Sequence, residues 1–111
     1  MKEKKITVGI DFTKTPIGRY REDGPYSGQV FREDILIPAL KENDKVIIDL
    51  SGVEGYGSSF LEEVFGGMIR SGDGADAALK DKLHIMSSDP AMSIYVDFAK
   101  EYMQAAIMAM R

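Results

Sequence analysis

The sequence predicts a small α/β domain in which helices pack on a mixed or parallel sheet. Strand-like apolar patterns at residues 6–12, 46–50 and 83–85 alternate with segments whose apolar residues recur at helical spacing. The predicted order is strand, long loop or edge strand, helix, strand, helix, strand, helix. With 111 residues, of which 44% are hydrophobic, the chain fits a single domain over residues 1–111.

The first strand and the loop after it are predicted from alternation and from turn-forming residues. Ile6, Val8 and Ile10 alternate with small or polar residues, and this strand should end near Phe12. Prolines and glycines make residues 13–27 a loop, in which residues 18–20 leave room for a short edge strand.

The first helix should begin at Gly28, with Ser27 as its cap. Arg32 is expected on its outer face, and Pro38 should kink or shorten it. Its core-facing stripe follows helical spacing and consists of Phe31, Ile35 and Ala39.

A buried strand, a glycine-rich turn and a second helix follow. The run from Val46 to Leu50 is almost continuously apolar, which indicates a strand covered on both faces. Glycines then break the strand, and Ser58 or Ser59 should cap a helix that ends near Arg70. That helix contains the glycine pair 66–67, which we attribute to close packing because each glycine costs about 1 kcal/mol relative to alanine.

The last third of the chain predicts a loop, a strand and a long helix. Residues 71–82 favour a loop with room for one helical turn, and Leu83 and Ile85 mark the third strand. Asp89 followed by Pro90 indicates a helix start. The final helix is apolar around much of its circumference, which suits either the core of a monomer or a homodimer.

Composition narrows the classes of function. A net charge of −4 and a pI near 4.9 argue against nucleic-acid binding, because phosphate contacts supply most of that affinity. The chain has no cysteine, and no apolar run approaches the roughly 20 residues that span a bilayer. We therefore expect an unsecreted, cytoplasmic protein that does not bind membranes.

No combination of residues in the sequence indicates catalysis. His84 lies in a predicted strand without a nucleophile motif, which favours a structural histidine. Asp73, Asp76 and Asp81 lack the spacing of a calcium loop and read as a solvated acidic loop. We expect no enzyme activity, no metal site and no cofactor.

Four short motifs together resemble the STAS domain, which is named for sulfate transporters and anti-sigma factor antagonists. The motifs are Pro16-x-Gly18-Arg19-Tyr20, Ser27-Gly28-x-x-Phe31-Arg32, the strand ending at Asp49, and Ser58-Ser59-Phe60-x-x-Glu63-x-Phe65-Gly66-Gly67. The closer resemblance is to a STAS-like bacterial family of uncharacterised function, and it covers roughly residues 6–70.

This resemblance implies a regulatory module that docks a histidine-kinase-like ATPase or an anti-sigma-type partner. In the antagonists, a partner kinase phosphorylates a hydroxyl at the helix start, which corresponds to Ser58 here. The aspartate that precedes that hydroxyl in the antagonists is replaced by Gly57, and Phe60 stands where a glycine often follows the serine pair. The implied contact surface comprises the turn and the helix after it, with Tyr56, Ser58, Ser59, Glu62 and Glu63. The alternative is that both serines are only helix caps.

Arg19 and Arg32 have two interpretations. Guanidinium groups bind phosphate or carboxylate, so with Ser58 they form a candidate anion- or nucleotide-binding sensor. Together with Glu63 they can instead form an ion-pair network that fastens the long loop. Glu62 and Glu63 diverge by about 100° on a helix, so one of them should be solvated.

Overall fold

The computed structural model describes residues 2–71 and 81–110 and contains a three-stranded parallel sheet. The strands are β1 (Glu3–Thr7), β2 (Lys45–Asp49) and β3 (Leu83–Met86), in the order β1-β2-β3. β2 pairs in parallel with both neighbours. Each parallel connection needs a crossover, which the helices between the strands provide. The predicted α/β class is confirmed.

Within residues 2–71 and 81–110, three main helices follow the predicted order. Helix α1 (28–42) joins Gly28–Phe31, a π-helical turn at Arg32–Leu36 and Ile37–Glu42. Helix α2 (58–70) has the same design, with Ser58–Leu61, a π-helical turn at Glu62–Gly66 and Gly67–Arg70. Helix α3 is Ser93–Ala109. Shorter turns are the π-helical Val8–Phe12 and the 3-10 helices Arg21–Asp23 and Pro90–Met92.

Strand β1 is shorter than predicted. It ends at Thr7, and Val8–Phe12 forms a π-helical turn that leaves Ile10 exposed. At this turn Gly9 N donates a hydrogen bond to Ser51 O at 3.1 Å, which brings the two backbones close together. A Cβ on Gly9 would clash with the backbone of Gly52. Alternation alone cannot show such a contact. Residues 18–20, considered as an edge strand, form no strand.

The helices cover one face of the sheet. Ile6, Ile48 and Ile85 lie in register across the three strands and are buried. On the other face the aligned row is Lys5, Ile47 and His84, where Ile47 is half-buried and its neighbours are exposed. The prediction that β2 is covered on both faces was therefore wrong for the described part of the chain.

Helix α1 begins as predicted but turns one charged residue inward. Ser27 Oγ accepts a hydrogen bond from Val30 N at 3.3 Å, which confirms the cap. Arg32, expected on the outer face, is only 6% exposed because the π-helical turn directs it towards α2. Pro38 follows this turn, and the helix continues through it, since the wider turn accommodates a residue without an N–H.

Helix α3 begins after the predicted Asp89–Pro90 pair. Asp89 Oδ1 accepts from Ala91 N at 2.9 Å, and the short helix Pro90–Met92 leads into α3. The predictions for residues 72–80, including solvated Asp73 and Asp76, lie outside the described residues. Asp81 is exposed. Among residues 2–71 and 81–110, no helix has the length and hydropathy needed to cross a membrane.

Candidate functional site

The loop between β2 and α2 is anchored by Tyr56. Its hydroxyl donates to Leu50 O at 2.7 Å, and its ring packs against Phe60 and Tyr95. Burial, aided by the nearby Asp49 charge, raises the pKa of the Tyr56 hydroxyl well above its usual range. Tyr56 was expected on a contact surface, but at 8% exposure its side chain belongs to the core.

Asp49 fixes the carboxyl ends of β2 and β3. Its Oδ1 accepts from Ser51 N at 3.0 Å and Ser88 N at 3.1 Å, and Lys5 Nζ lies 3.5 Å from Oδ2. Burial alone would raise the pKa of this carboxyl, but the hydrogen bonds lower it to about 2. The charged form therefore holds the loops at the sheet edge where α2 begins.

The start of α2 differs from the predicted serine cap. Gly57 occupies the cap position, and no side chain accepts a hydrogen bond there. Ser58 and Ser59 are the first helical residues, and both are exposed. The interpretation of the serines as helix caps was therefore wrong, and both serines are exposed.

An open groove of about 480 Å³ separates this turn from the strap, which is our name for residues 13–27. Its walls include Ile17, Arg19, Ser58 and Ser59. Two backbone hydrogen bonds hold the strap against α1. Gly28 N donates to Gly18 O at 3.0 Å, and Gln29 N donates to Arg19 O at 2.9 Å. The turn of the strap requires a φ of +95° at Gly18, a conformation that favours glycine.

An ion-pair network of Arg19, Arg32, Arg70, Glu62 and Glu63 joins the strap, α1 and α2. Arg19 Nη1 lies 2.6 Å from Glu62 Oε1 and 3.3 Å from Glu63 Oε1. Arg32 binds the Glu63 carboxylate and also donates to Glu63 O at 3.0 Å. Arg70 Nη2 donates to Glu62 Oε1 at 2.8 Å. The structure thus brings Arg19, Arg32 and Glu63 together as ion-pair partners.

One of the two glutamates was expected to be solvated, and the Glu62 side chain is 23% exposed whereas the Glu63 side chain is 9% exposed. Both lie in the π-helical turn of α2, which directs Glu62 and Glu63 towards arginines; Glu62 is half-buried and Glu63 is buried. Hydrogen bonds from Arg70 and Arg19 lower the pKa of Glu62, and the bond to Glu62 raises the pKa of Arg19. Glu63 therefore presents little surface to a partner.

Sequence reasoning missed the role of Arg70 and of the glycine pair. Arg70 follows Glu62 by eight residues, a spacing that returns to the same helix face and was available as a signal. A Cβ on Gly67 would clash with Arg32 Nη1, and one on Gly66 would clash with the Glu62 carboxylate. The glycines thus make room for charged side chains.

The groove wall carries Ser58 and Ser59, and Asp23 lines the same groove. Among the described residues, no histidine or carboxylate is hydrogen-bonded to the Ser58 or Ser59 hydroxyl. His84 lies exposed on β3, on the sheet face opposite the helices. Within residues 2–71 and 81–110, no group of three His, Asp or Glu side chains is arranged to hold a metal ion.

The chain matches a known protein family. The model of a family described as a STAS-like domain of unknown function (DUF4325) matches residues 27–92, from the cap of α1 to the turn before α3. No curated protein matches, and no solved structure matches.

Proposed function

The chain belongs to the family of STAS-like domains of unknown function, and from this premise we propose that it is a non-catalytic regulatory module. It docks another protein through the 57–59 turn and the adjoining groove. The resemblance to anti-sigma factor antagonists suggests a bacterial partner of the histidine-kinase-like ATPase or anti-sigma type. The two proteins would bind each other in the cytoplasm.

One observation carries this proposal: two exposed hydroxyls stand at the start of a rigidly held helix. Tyr56 anchors the loop before Ser58, and the ion-pair network fixes the strap across the groove. A surface that is already ordered loses little conformational entropy on binding, which favours recognition by a partner. Of the contact residues expected from sequence, Ser58 and Ser59 are exposed and Glu62 is partly exposed.

Ser58 is also the proposed phosphate acceptor. A partner kinase would transfer the γ-phosphoryl group of ATP to Ser58 Oγ. The bond from the γ-phosphorus to the β,γ-bridging oxygen breaks, ADP leaves, and the serine proton passes to a base of the kinase. Phosphorylation adds about −1.5 to −2 charges at pH 7, enough to change binding at a helix start. Glu62 lies one helical turn further along α2, so the added charge would also compete for Arg19.

The test is affinity purification of the tagged protein from its native host, followed by mass spectrometry of partners and phosphosites. Recovery of one ATPase-like or anti-sigma-type partner with the wild type, and its loss with Ser58→Glu but not Ser58→Ala, would support the proposal. Ser93→Glu, an exposed serine at the start of α3, is the matched control. An unmodified Ser58 and no partner of this type would contradict it.

The alternative function is an anion- or nucleotide-binding sensor, and Arg19 is its strongest support because it lines the same groove as Ser58. Arg19 is bound to two carboxylates, however, and Arg32 is buried against Glu63. A thermal-shift titration with inorganic phosphate and with ATP separates the two functions. A specific ligand at 100 times its dissociation constant should stabilise the fold by about 2.7 kcal/mol, and Arg19→Ala should remove the effect.

A further inference from the structure

Strand β3 is an edge of the sheet formed by the described residues, and part of its backbone faces outward. Leu50 N donates to Met86 O at 3.0 Å, so the backbone groups of Met86 face β2. Successive residues of a strand direct their N–H and C=O groups to opposite sides, so both groups of Ile85 and the C=O of Leu83 face away from β2. In the part of the chain that the structure describes, these three groups have no hydrogen-bond partner. They can therefore pair with another extended chain.

The side chains of the same two residues line a groove between β3 and α3. Leu83 lies in register with buried Val46, and Ile85 lies in register with buried Ile48, so both point towards the helix layer. The space that we call the β3–α3 groove is lined by Leu83, Ile85, Lys100, Met103, Gln104 and Ile107. Its four α3 residues follow the spacing i, i+3, i+4, i+7 and share one helix face. The volume of about 270 Å³ is below the roughly 300–1,000 Å³ of small-molecule sites, which suits single side chains of a larger ligand.

The opposite edge of the sheet is protected, and this contrast points to β3. Glu3, Lys4 and Lys5 of β1 are charged and exposed, and Thr7 N donates to the Asp11 carboxylate at 2.7 Å. Charged side chains, above all lysine, discourage the addition of a further strand at an edge. The edge of β3 instead adjoins a largely apolar groove, so it is the edge suited to accept another strand.

Lys100 is the charged residue in the lining of the β3–α3 groove. It is exposed, and it has no ion-pair partner among the described residues, although Asp97 lies three residues earlier on α3. Met103 and Ile107 of the same wall are apolar and half-buried, and Gln104 is neutral. A cation beside an apolar groove favours a ligand that supplies both apolar side chains and a carboxylate.

From these contacts we infer that the β3 edge and the β3–α3 groove bind an extended segment of a partner protein, which adds to the sheet as a further strand. Because side chains of a strand alternate between its two faces, every second residue of the segment enters the groove. These residues are apolar except for one aspartate or glutamate, which meets Lys100. Strand addition is a recurring mode of recognition in which backbone bonds give affinity and side-chain pockets give specificity. The site is separate from the groove beside Ser58.

A second copy of this chain fits the site less well. Pairing of β3 with β3 about a two-fold axis would bring a second Lys100 to the joined grooves, and the lining of neither groove contains a carboxylate. A partner segment that carries a carboxylate neutralises Lys100 and occupies the backbone groups of Ile85 as well. The chemistry of the site therefore favours a segment of another protein.

The test uses labelled peptides of about eight residues, the length of an ordinary strand, with capped ends and with valine alternating with serine. Glutamate replaces each valine in turn so that the set covers the possible registers, and a matched set carries lysine instead. Fluorescence anisotropy should show binding by a glutamate peptide and by no lysine peptide, with an affinity that falls as salt rises.

Backbone pairing is tested on the peptide, so the protein stays unchanged. N-methylation removes the amide donors of alternate residues, and only one of the two alternate sets faces β3 in a bound strand. Methylation of one set should weaken binding at least about tenfold, equivalent to about 1.4 kcal/mol, whereas methylation of the other set should leave binding unchanged.

Matched variants of the protein test the charge. Lys100→Glu should bind a lysine peptide in preference to the glutamate peptide, and Gln104→Glu should weaken binding of the glutamate peptide, because each adds a carboxylate to the groove. Lys14→Glu changes the net charge as much as Lys100→Glu does, at an exposed position in the strap, and should bind as the wild type does.

Three results would overturn the inference. The first is no binding of any glutamate peptide at about 1 mM, and the second is an equal effect of both N-methylated sets. The third is a wild-type dimer in light scattering that the glutamate peptide dissociates, because a second copy would then occupy the site. Ser58→Glu should bind the glutamate peptide normally, so failure of the docking function at α2 leaves this test intact.

Discussion

At the scale of single residues, the buried ion pair between α1 and α2 depends on a glycine that leaves space for it. Arg32 and Glu63 are both buried, and breaking such a pair typically costs about 3–5 kcal/mol because one charge is left without a partner. Gly67 leaves the space that the Arg32 guanidinium occupies. Glycine at this position inside the helix therefore allows Arg32 to reach Glu63.

Gly67→Ala should destabilise the fold by roughly 1–2 kcal/mol. The new methyl group displaces Arg32, and overpacking of this kind typically costs about 1–3 kcal/mol, whereas the higher helix propensity of alanine returns at most about 1 kcal/mol. Urea unfolding measures the difference in free energy.

Gly66→Ala is the matched control for this substitution. Its methyl group meets the outer ends of Glu62 and Arg70, which can move towards solvent because Arg70 is exposed. We expect a change within about 1 kcal/mol of zero, since the gain in propensity offsets the displaced ion pair. Equal destabilisation by both substitutions would show that Arg32 is not the side chain that matters.

Asp49 should make stability depend on acid pH. Its folded pKa, near 2, lies below the ordinary 3.8, so its stabilisation is complete above pH 3.8 and disappears as the pH falls towards 2. A difference of nearly two pKa units corresponds to roughly 2 kcal/mol. The difference in unfolding free energy between the wild type and Asp49→Asn should therefore shrink as the pH falls from 4 to 2. A difference that stays constant over this range would contradict this role of Asp49.

At the scale of elements, the sequence predicted the order of strands and helices because hydrophobic periodicity is a local property. The start of α1 at Ser27 and the turn at Asp89–Pro90 were predicted for the same reason, since caps act over a few residues. The inward position of Arg32 was not predicted, because the π-helical turn shifts the faces of the helix. The burial of Glu63 in α2 was not predicted for the same reason.

The strap should depend on Arg19 more than on Arg21, although both are arginines of the strap with carboxylate partners. Arg19 binds partly buried Glu62 and buried Glu63, whereas Arg21 pairs with exposed Glu33 and Asp34. Surface pairs contribute little, and a pair beside a buried carboxylate contributes more. Arg19→Ala should therefore loosen the strap where Arg21→Ala does not.

Hydrogen exchange provides the measurement for the strap. The amides of Gly28 and Gln29 are bonded to strap carbonyls and should exchange at least about tenfold faster in Arg19→Ala, equivalent to about 1.4 kcal/mol of local stability. The amide of Ile48 in the central strand serves as the internal reference. Similar protection in both variants would mean that backbone bonds alone hold the strap.

At the scale of the whole molecule, the described fold has two layers, with the sheet on one side and the helices on the other. The apolar run from Val46 to Leu50 predicted a strand covered on both faces, because an apolar side chain at every position suggests burial at every position. The register shows the difference: Ile48 lies between Ile6 and Ile85, whereas Ile47 lies between Lys5 and His84. The open face is identified only by the residues of the neighbouring strands. Those strands lie far from β2 in the sequence, so the pattern within β2 cannot show them.

Substitution of the two adjacent isoleucines tests this architecture. Ile48 is completely buried, so Ile48→Ala should cost about 2–5 kcal/mol through lost burial and the cavity left behind. Ile47 is only half-buried, and Ile47→Ala should cost about 1 kcal/mol, mostly from the lower strand preference of alanine. The pair shares strand, residue type and substitution, so the difference in unfolding free energy reports the face alone. Equal costs would mean that a second layer covers the open face of the sheet, since only burial on both sides would make Ile47 as important as Ile48.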